Sequence, residues 1–433
     1  MNIQSPTTSY VGSSDEMPFD ISEVFFSRTD ERGVIQAGND VFRRISGYSW
    51  DELLNAPHKI IRHPDMPSGV FHILWDRIKR GLPTGAYVKN RAKDGRYYWV
   101  FAVVSPVEGG YLSVRFKPTS PLLDTVRAAY FEARAAEMAD NLTPAQSAAR
   151  IEGGLRDLGY RTYAAFSSFA IANEVIARDH GLGQPDDPRL RSLRDLLPEL
   201  RKIDEDQRAL FAAFDAIRGV PSNMRIVASR LEPAGGPISA ISQNYRLMSS
   251  EVTEHLGVFL AEGGETNLST SILDRVFHAL FLTATTRVQR EVRDVAEQDM
   301  KAGKESNRFA EELPLLTDLF DSYARQAADM LSAVYSDISQ LALSAKDLKQ
   351  MVTGLDSIRV LCRVEAGRLG SNSTALTPVI TQLDRFHADI EETLERIMYN
   401  SDTVKALVEA SIPRSLDGRA NDDRPRGAAA LLK

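Results

Sequence analysis

One cysteine in 433 residues, Cys362, excludes an internal disulfide framework and a cysteine-based zinc site. Long apolar runs are also missing. The nearest, Thr162–Ala172 and Val276–Thr286, are interrupted by polar residues and fall short of the roughly 18–20 residues that span a bilayer. There is no basic surplus: 52 Lys and Arg face 59 Asp and Glu, a formal net charge of −7. A nucleic acid would therefore find no surplus cations to displace its counterions. The first residues, MNIQSPTTSYVGSSDEMP, lack the basic stretch and apolar core of a secretory signal. No Gly-rich loop ends in Lys-Ser/Thr, and neither Gly-x-Ser-x-Gly nor His-Glu-x-x-His occurs. These absences leave a soluble, cytoplasmic, non-enzymatic protein as the expectation.

What is present is enough for real cores: 43% hydrophobic and 26% charged residues, in a chain long enough for two or three domains. Four stretches are expected. Residues 1–20 are Ser/Thr/Gly/Pro-rich and read as disordered, and 21–120 carry mixed strand and helix signals. Residues 121–412 read as all-α, and 413–433 read as a disordered tail.

In 21–120, Val24–Arg28 and Val34–Ala37 read as strands around the turn Thr29-Asp30-Glu31-Arg32-Gly33. Asn39 or Asp40 can cap a short helix that Gly47 stops, and Ser49 opens another. Asp65 reads as the cap of a longer helix with Pro67 in its first turn. Phe71, Leu74, Trp75 and Ile78 then line one face of it until Gly81. Ala86–Arg91, Tyr97–Pro106 and Tyr111–Lys117 alternate as strands. Beyond Pro121 only helix-period segments follow. Within them, Met224–Ile241 echoes Ile358–Ile380, each an Arg, an apolar quartet, a Glu and Ala-Gly.

The densest chemistry is PHKIIRHPDMP, Pro57–Pro67. Arg62 offers a fork of donors to a phosphate or ring carbonyl, and His63 a group that titrates near neutral pH. The bland alternative makes Asp65 a helix cap worth about 0.5–2 kcal/mol and Arg62 a surface ion-pair partner. His58, His63 and His72 do not share one helix face, which argues against metal. Trp75 and Trp99 suit a core, and Lys89-Asn90-Arg91 with Lys93 and Arg96 a solvated rim. His255 and His278 read as core or boundary residues. No nucleotide-binding segment follows His278, which weakens a histidine-kinase reading.

NDVFRRISGYSWDELL (39–54), PHKIIRHPDMP, FHILWDRIKRG (71–81), VKNRAKDGRYYWV (88–100) and SVRFKPT (113–119) resemble the PAS sensor of bacterial aerotaxis transducers. The resemblance implies an α+β PAS domain, a five-stranded antiparallel sheet with flanking helices, followed by an all-α helical-bundle domain. It also implies noncovalent FAD, with Asn39, Arg62, His63, Asp65 and Trp75 at the positions tied to flavin binding; haem is a lesser option. One position departs. The family has Pro-Trp-x-Gly where this chain has Pro83-Thr84-Gly85. The missing ring removes on the order of 1–3 kcal/mol of contact, weakening flavin binding from about tenfold to about a hundredfold. The helical remainder faintly resembles a chemoreceptor output region, which implies a homodimer and a chemotaxis kinase, coupling protein or chemoreceptor as partners. A redox, oxygen or energy sensor follows; the alternative is a ligand-free PAS module for protein interaction or dimerisation.

Overall fold

In this computed structural model the described residues are 15–230, 235–259, 267–301, 309–370, 374 and 376–411. Strands β1 (Val24–Thr29) and β2 (Ile35–Gly38) form a hairpin. Its turn is held by the Asp30 carboxylate, which accepts from the N–H groups of Arg32 and Val34, both at 2.9 Å. Helices α1 (Asp40–Ser46), α2 (Trp50–Leu53) and α3 (Ser68–Lys79) follow. Strands β3 (Thr84–Arg91), β4 (Tyr97–Val107) and β5 (Gly110–Phe116) complete an antiparallel sheet in the order β2-β1-β5-β4-β3. The expected α+β PAS architecture is present.

Alternation divides the strands between two buried layers. Ser27, Asn90, Ala102, Ser113 and Arg115 face a cavity on the side of α3. Phe26, Tyr87, Phe101 and Phe116 are fully buried on the other side. Their cover is the helical half: α4 (Leu122–Ala139), α5 (Pro144–Asp157), α6 (Tyr163–Gly181), α7 (Pro188–Ile217), α8 (Val220–Arg230), α9 (Gly236–His255), α10 (Leu268–Lys301), α11 (Phe309–Leu369) and α12 (Thr377–Ser411). α6 lies on β3, and α10 reaches β1 and β5. Arg28 of β1 pairs with Glu312 of α11 at 3.0 Å. α7, α10, α11 and α12 pack as the main bundle, and one continuous core joins it to the sheet. Among the described residues no helix is long and apolar enough to cross a membrane.

The two echoing segments meet. Val227, Ala228 and Ile238 from the first form a small satellite core with Leu376 from the second, and Ala366, Leu369 and Ile380 pack against it.

Several expectations need correction. Residues 15–20 are not loose where described: Met17 N–H donates to the Tyr97 carbonyl, Tyr97 N–H to that of Asp15, and Phe19 is buried. Residues 1–14 and 412–433 lie outside the described residues. Asp65 does not cap α3. It sits in an exposed turn, and the helix begins three residues later at Ser68, so its carboxylate is too early in the chain. The carboxylate that does serve that end is Glu137 of α4, accepting from Gly69 N–H at 3.2 Å and the Ser68 hydroxyl at 2.8 Å. His255 is exposed rather than core, while His278 is at the boundary as expected. Asn90 is no solvated rim residue: it is 2% exposed, because its strand is crossed by the loop carrying Arg62.

Candidate functional site

Between the sheet and α3 lies a cavity of about 280 Å³, just under the roughly 300–1,000 Å³ usual for small-molecule sites. Apolar walls come from Phe71, Leu74, Trp75 and Ile78 of α3 and from Val88, Ala102, Val104 and Tyr111 of the sheet. Trp75 stands edge-on to Tyr111 at 5.4 Å between centroids. Its ring passes so near Gly33 that a Cβ there would lie 3.0 Å from it, at a φ of +80° that a side chain would strain.

Polar groups concentrate at the closed end. The Arg115 guanidinium, 5% exposed, donates to the Ser27 hydroxyl at 2.8 Å and approaches His58 Nε2 at 2.7 Å. No described carboxylate pairs with it, and burial pushes it down to about 10. Burial, then the adjacent guanidinium, holds His58 well below its ordinary value, so the imidazole is neutral and Nε2 accepts. Two other lining atoms, Asn90 Nδ2 and Ser113 Oγ, are buried with no hydrogen-bond partner in the protein. An unpaired buried donor costs about 1–3 kcal/mol, so a polar ligand edge has somewhere to bind. The mouth is cationic: Arg32, Lys59 and Arg62 line it, the first two exposed.

The five residues singled out in the sequence separate into two groups. Arg62 and Trp75 line the cavity. Arg62 stacks 3.4 Å over the Phe71 ring centroid, and burial lowers its pKa. Asn39, His63 and Asp65 do not line it. Asn39 caps α1, with Oδ1 accepting from Phe42 and Phe26 N–H and Nδ2 donating to the Val24 carbonyl. His63 Nδ1 accepts from Asp65 N–H at 3.1 Å, and the Asp65 carboxylate receives Lys89 Nζ at 2.7 Å. Burial, with Lys89 beside it, keeps His63 below its usual range. This pair fastens the loop to β3 and so positions Arg62. Thr84 is fully buried at the far end of β3, where its hydroxyl accepts from Arg77 at 3.2 Å, and it is not part of the cavity wall. Arg115, Ser27, Asn90 and Ser113 were missed; the strand alternation in VFFSRT, VKNR and YLSVRF was the available signal.

Residues 37–113 match the family described as PAS fold. The chain is 41% identical over 109 residues to the Aerotaxis receptor of Escherichia coli, covering 24% of this chain and 22% of the receptor. It is 30% identical over 86 residues to a Nitrogen fixation regulatory protein of Klebsiella pneumoniae, covering 20% and 17% respectively. The chain thus spans about a fifth of the length of the curated relatives it matches. Among solved structures, the light state of the blue-light photoreceptor Aureochrome1 LOV aligns with 24% of this chain and 88% of that chain. The identity there is 23% and the TM-score 0.22. Residues 37–113 thus carry a PAS fold, in a region similar in sequence to part of that Aerotaxis receptor.

Proposed function

We propose that the chain is a non-enzymatic, cytoplasmic sensor of redox, oxygen or energy state whose PAS cavity holds FAD. The observation that carries this is the pairing of apolar walls with unfilled polar groups: Asn90 Nδ2, Ser113 Oγ and the carboxylate-free Arg115. A planar heteroaromatic ring with carbonyl and nitrogen edges answers both. The residues present therefore fit a flavin ring, which when bound supplies reversible electron uptake. A cavity of about 280 Å³ suits the ring system rather than a whole dinucleotide. The phosphates would meet Arg32, Lys59 and Arg62 at the mouth. Haem has weaker support, since His58 Nε2 is engaged by Arg115.

Within this reading Trp75 and Phe71 bound the ring, Arg62 guards the mouth, and Asn39, His63 and Asp65 hold the elements that position them. Ligand-dependent strain in β3 and β5 passes to the helices packed on the sheet's other face and on to a partner. A second copy, a chemotaxis kinase with its coupling protein, or a chemoreceptor is the proposed recipient. The competing reading is a ligand-free interaction module. It draws less support, because the outer sheet face such a module would offer is covered by this chain's own helices.

The test is an absorption spectrum of the purified full chain, before and after adding FAD and removing the excess. Flavin bands at near-stoichiometric amount support the sensor. A preparation that stays colourless refutes it.

A further inference from the structure

Arg115 stands apart from Arg178, the other fully buried cation among the described residues, which is matched by Glu291 at 2.8 Å. Among the described residues the neighbours of Arg115 are neutral: the Ser27 hydroxyl, His58 Nε2, the buried Tyr98 phenol, and the rings of Phe25 and Phe42 at 5.9 Å. Burying a charge without a counter-charge is costly, and retaining one beside an unfilled cavity makes sense when the missing partner arrives with the ligand. His58 cannot relieve it. Its ring accepts from the guanidinium and is held neutral, so the closed end keeps a full positive charge.

Resting on the flavin reading, we infer that Arg115 makes the cavity select the ligand state that carries negative charge, so the two-electron-reduced, singly protonated flavin binds more tightly than the oxidised form. The balance is simple. A neutral oxidised ring that gains two electrons and one proton carries one negative charge. Arg115 favours that product over both the neutral oxidised ring and the doubly protonated reduced ring. Ser27 and His58 are positioning residues that fix the guanidinium without neutralising it. No residue here donates the electrons; a chemical or cellular reductant does.

The experiment reduces the FAD-loaded full chain with dithionite in the presence of a reference dye, reading midpoint potential and the absorption spectrum of the reduced state. The wild type should have a higher potential than free FAD and show the spectrum of the anionic reduced ring. Arg115→Gln should lower the ratio of reduced to oxidised affinity by about tenfold or more, a drop of ~30 mV for a two-electron couple. Arg115→Lys should restore most of it. If Arg115→Gln lowers FAD occupancy, direct titration with oxidised and with pre-reduced FAD replaces the potential measurement. A larger loss for the reduced form supports the inference, and an equal loss for both overturns it. An unchanged potential in Arg115→Gln also overturns it while leaving the flavin reading intact. A wild type that takes up no FAD sinks both.

Discussion

The carboxylate of Glu174, on α6, accepts the hydroxyl of Tyr87, on β3, at 2.6 Å. The same carboxylate accepts from Thr119 N–H at 2.7 Å, Ser120 N–H at 3.0 Å and the Ser120 hydroxyl at 2.6 Å. One fully buried anion thereby ties the outer sheet face, the joint leaving β5 and the helix that covers them. Any shift of β3 is felt at that joint. Removing the charge while keeping the shape, Glu174→Gln, turns one acceptor oxygen into a donor facing donors. It should cost about 2–4 kcal/mol in chemical denaturation. Tyr87→Phe removes one of four donors and should cost only about 1 kcal/mol. A Glu174→Gln variant as stable as the wild type would show that the clasp carries no weight.

Gly69, near the start of α3, lies directly against α5 (Pro144–Asp157). A Cβ there would lie 2.5 Å from Ser147 Oγ and 2.6 Å from the backbone nitrogen of Ala148. Backbone cannot yield as a flexible side chain can, so Gly69→Ala must push α3 away from α5. Overpacking of this kind costs roughly 1–3 kcal/mol. Because α3 carries Phe71, Leu74 and Trp75 of the cavity wall, ligand affinity should fall along with melting temperature. Gly81→Ala, with nothing within 4 Å but a φ of +77°, tests backbone strain alone and should leave affinity unchanged.

Which parts of this were readable in the chain follows from how each residue gets its environment. Asn39 announces itself because a helix cap is local: its acceptor meets Phe42 N–H three residues on. Arg62 and Trp75 stand in distinctive wording and reach the cavity through nearby elements. Arg115 looked like one more polar residue in an alternating strand. Its meaning depends on His58, 57 residues away, and on having no carboxylate partner among the described residues. Glu137 and Glu174 sit in segments that show only a helix period. They are buried only because α4 and α6 close onto the PAS elements, a tertiary fact with no local signature. Asp65 misled for the converse reason: a plausible cap followed by Pro67 ended up in the turn before the helix.

Acid should loosen the fold through its histidines before its carboxylates. Burial holds His58, His63, His278 and His387 below the ordinary 6.5. The unfolded chain binds protons at these sites near pH 6.5 while the folded chain does not, so stability rises with pH up to about that value and is level above it. Below it, stability falls as pH is lowered, by up to ~1.4 kcal/mol per pH unit for each fully neutral buried site. Denaturation midpoints measured at pH 5.0, 6.0, 7.0 and 8.0 should drop over the lower pair and stay flat over the upper pair. His58→Gln retains an acceptor for Arg115 and should shallow the acid limb. A wild type equally stable at pH 5.0 and 7.0 would contradict the neutral assignment.

The covered sheet face gives a prediction about the PAS domain on its own. Phe26, Tyr87, Phe101 and Phe116 are fully buried, and part of their cover belongs to residues beyond 120. Arg178 of α6, for example, lies over the Phe116 ring at 5.9 Å. A fragment of residues 15–120 would turn these rings toward water. Fully exposing several such side chains costs about 1.5–3 kcal/mol each, so two fragments gain by burying the faces together. Analytical ultracentrifugation should find the fragment self-associated at micromolar concentration, and Phe116→Glu should shift it toward monomer. In the full chain the same substitution should instead destabilise the docking of α6 and α10 on the sheet, read as faster hydrogen exchange in those helices. A monomeric wild-type fragment would mean that the helices cover a face with no appetite for a partner, leaving their contact with the sheet as packing rather than competition.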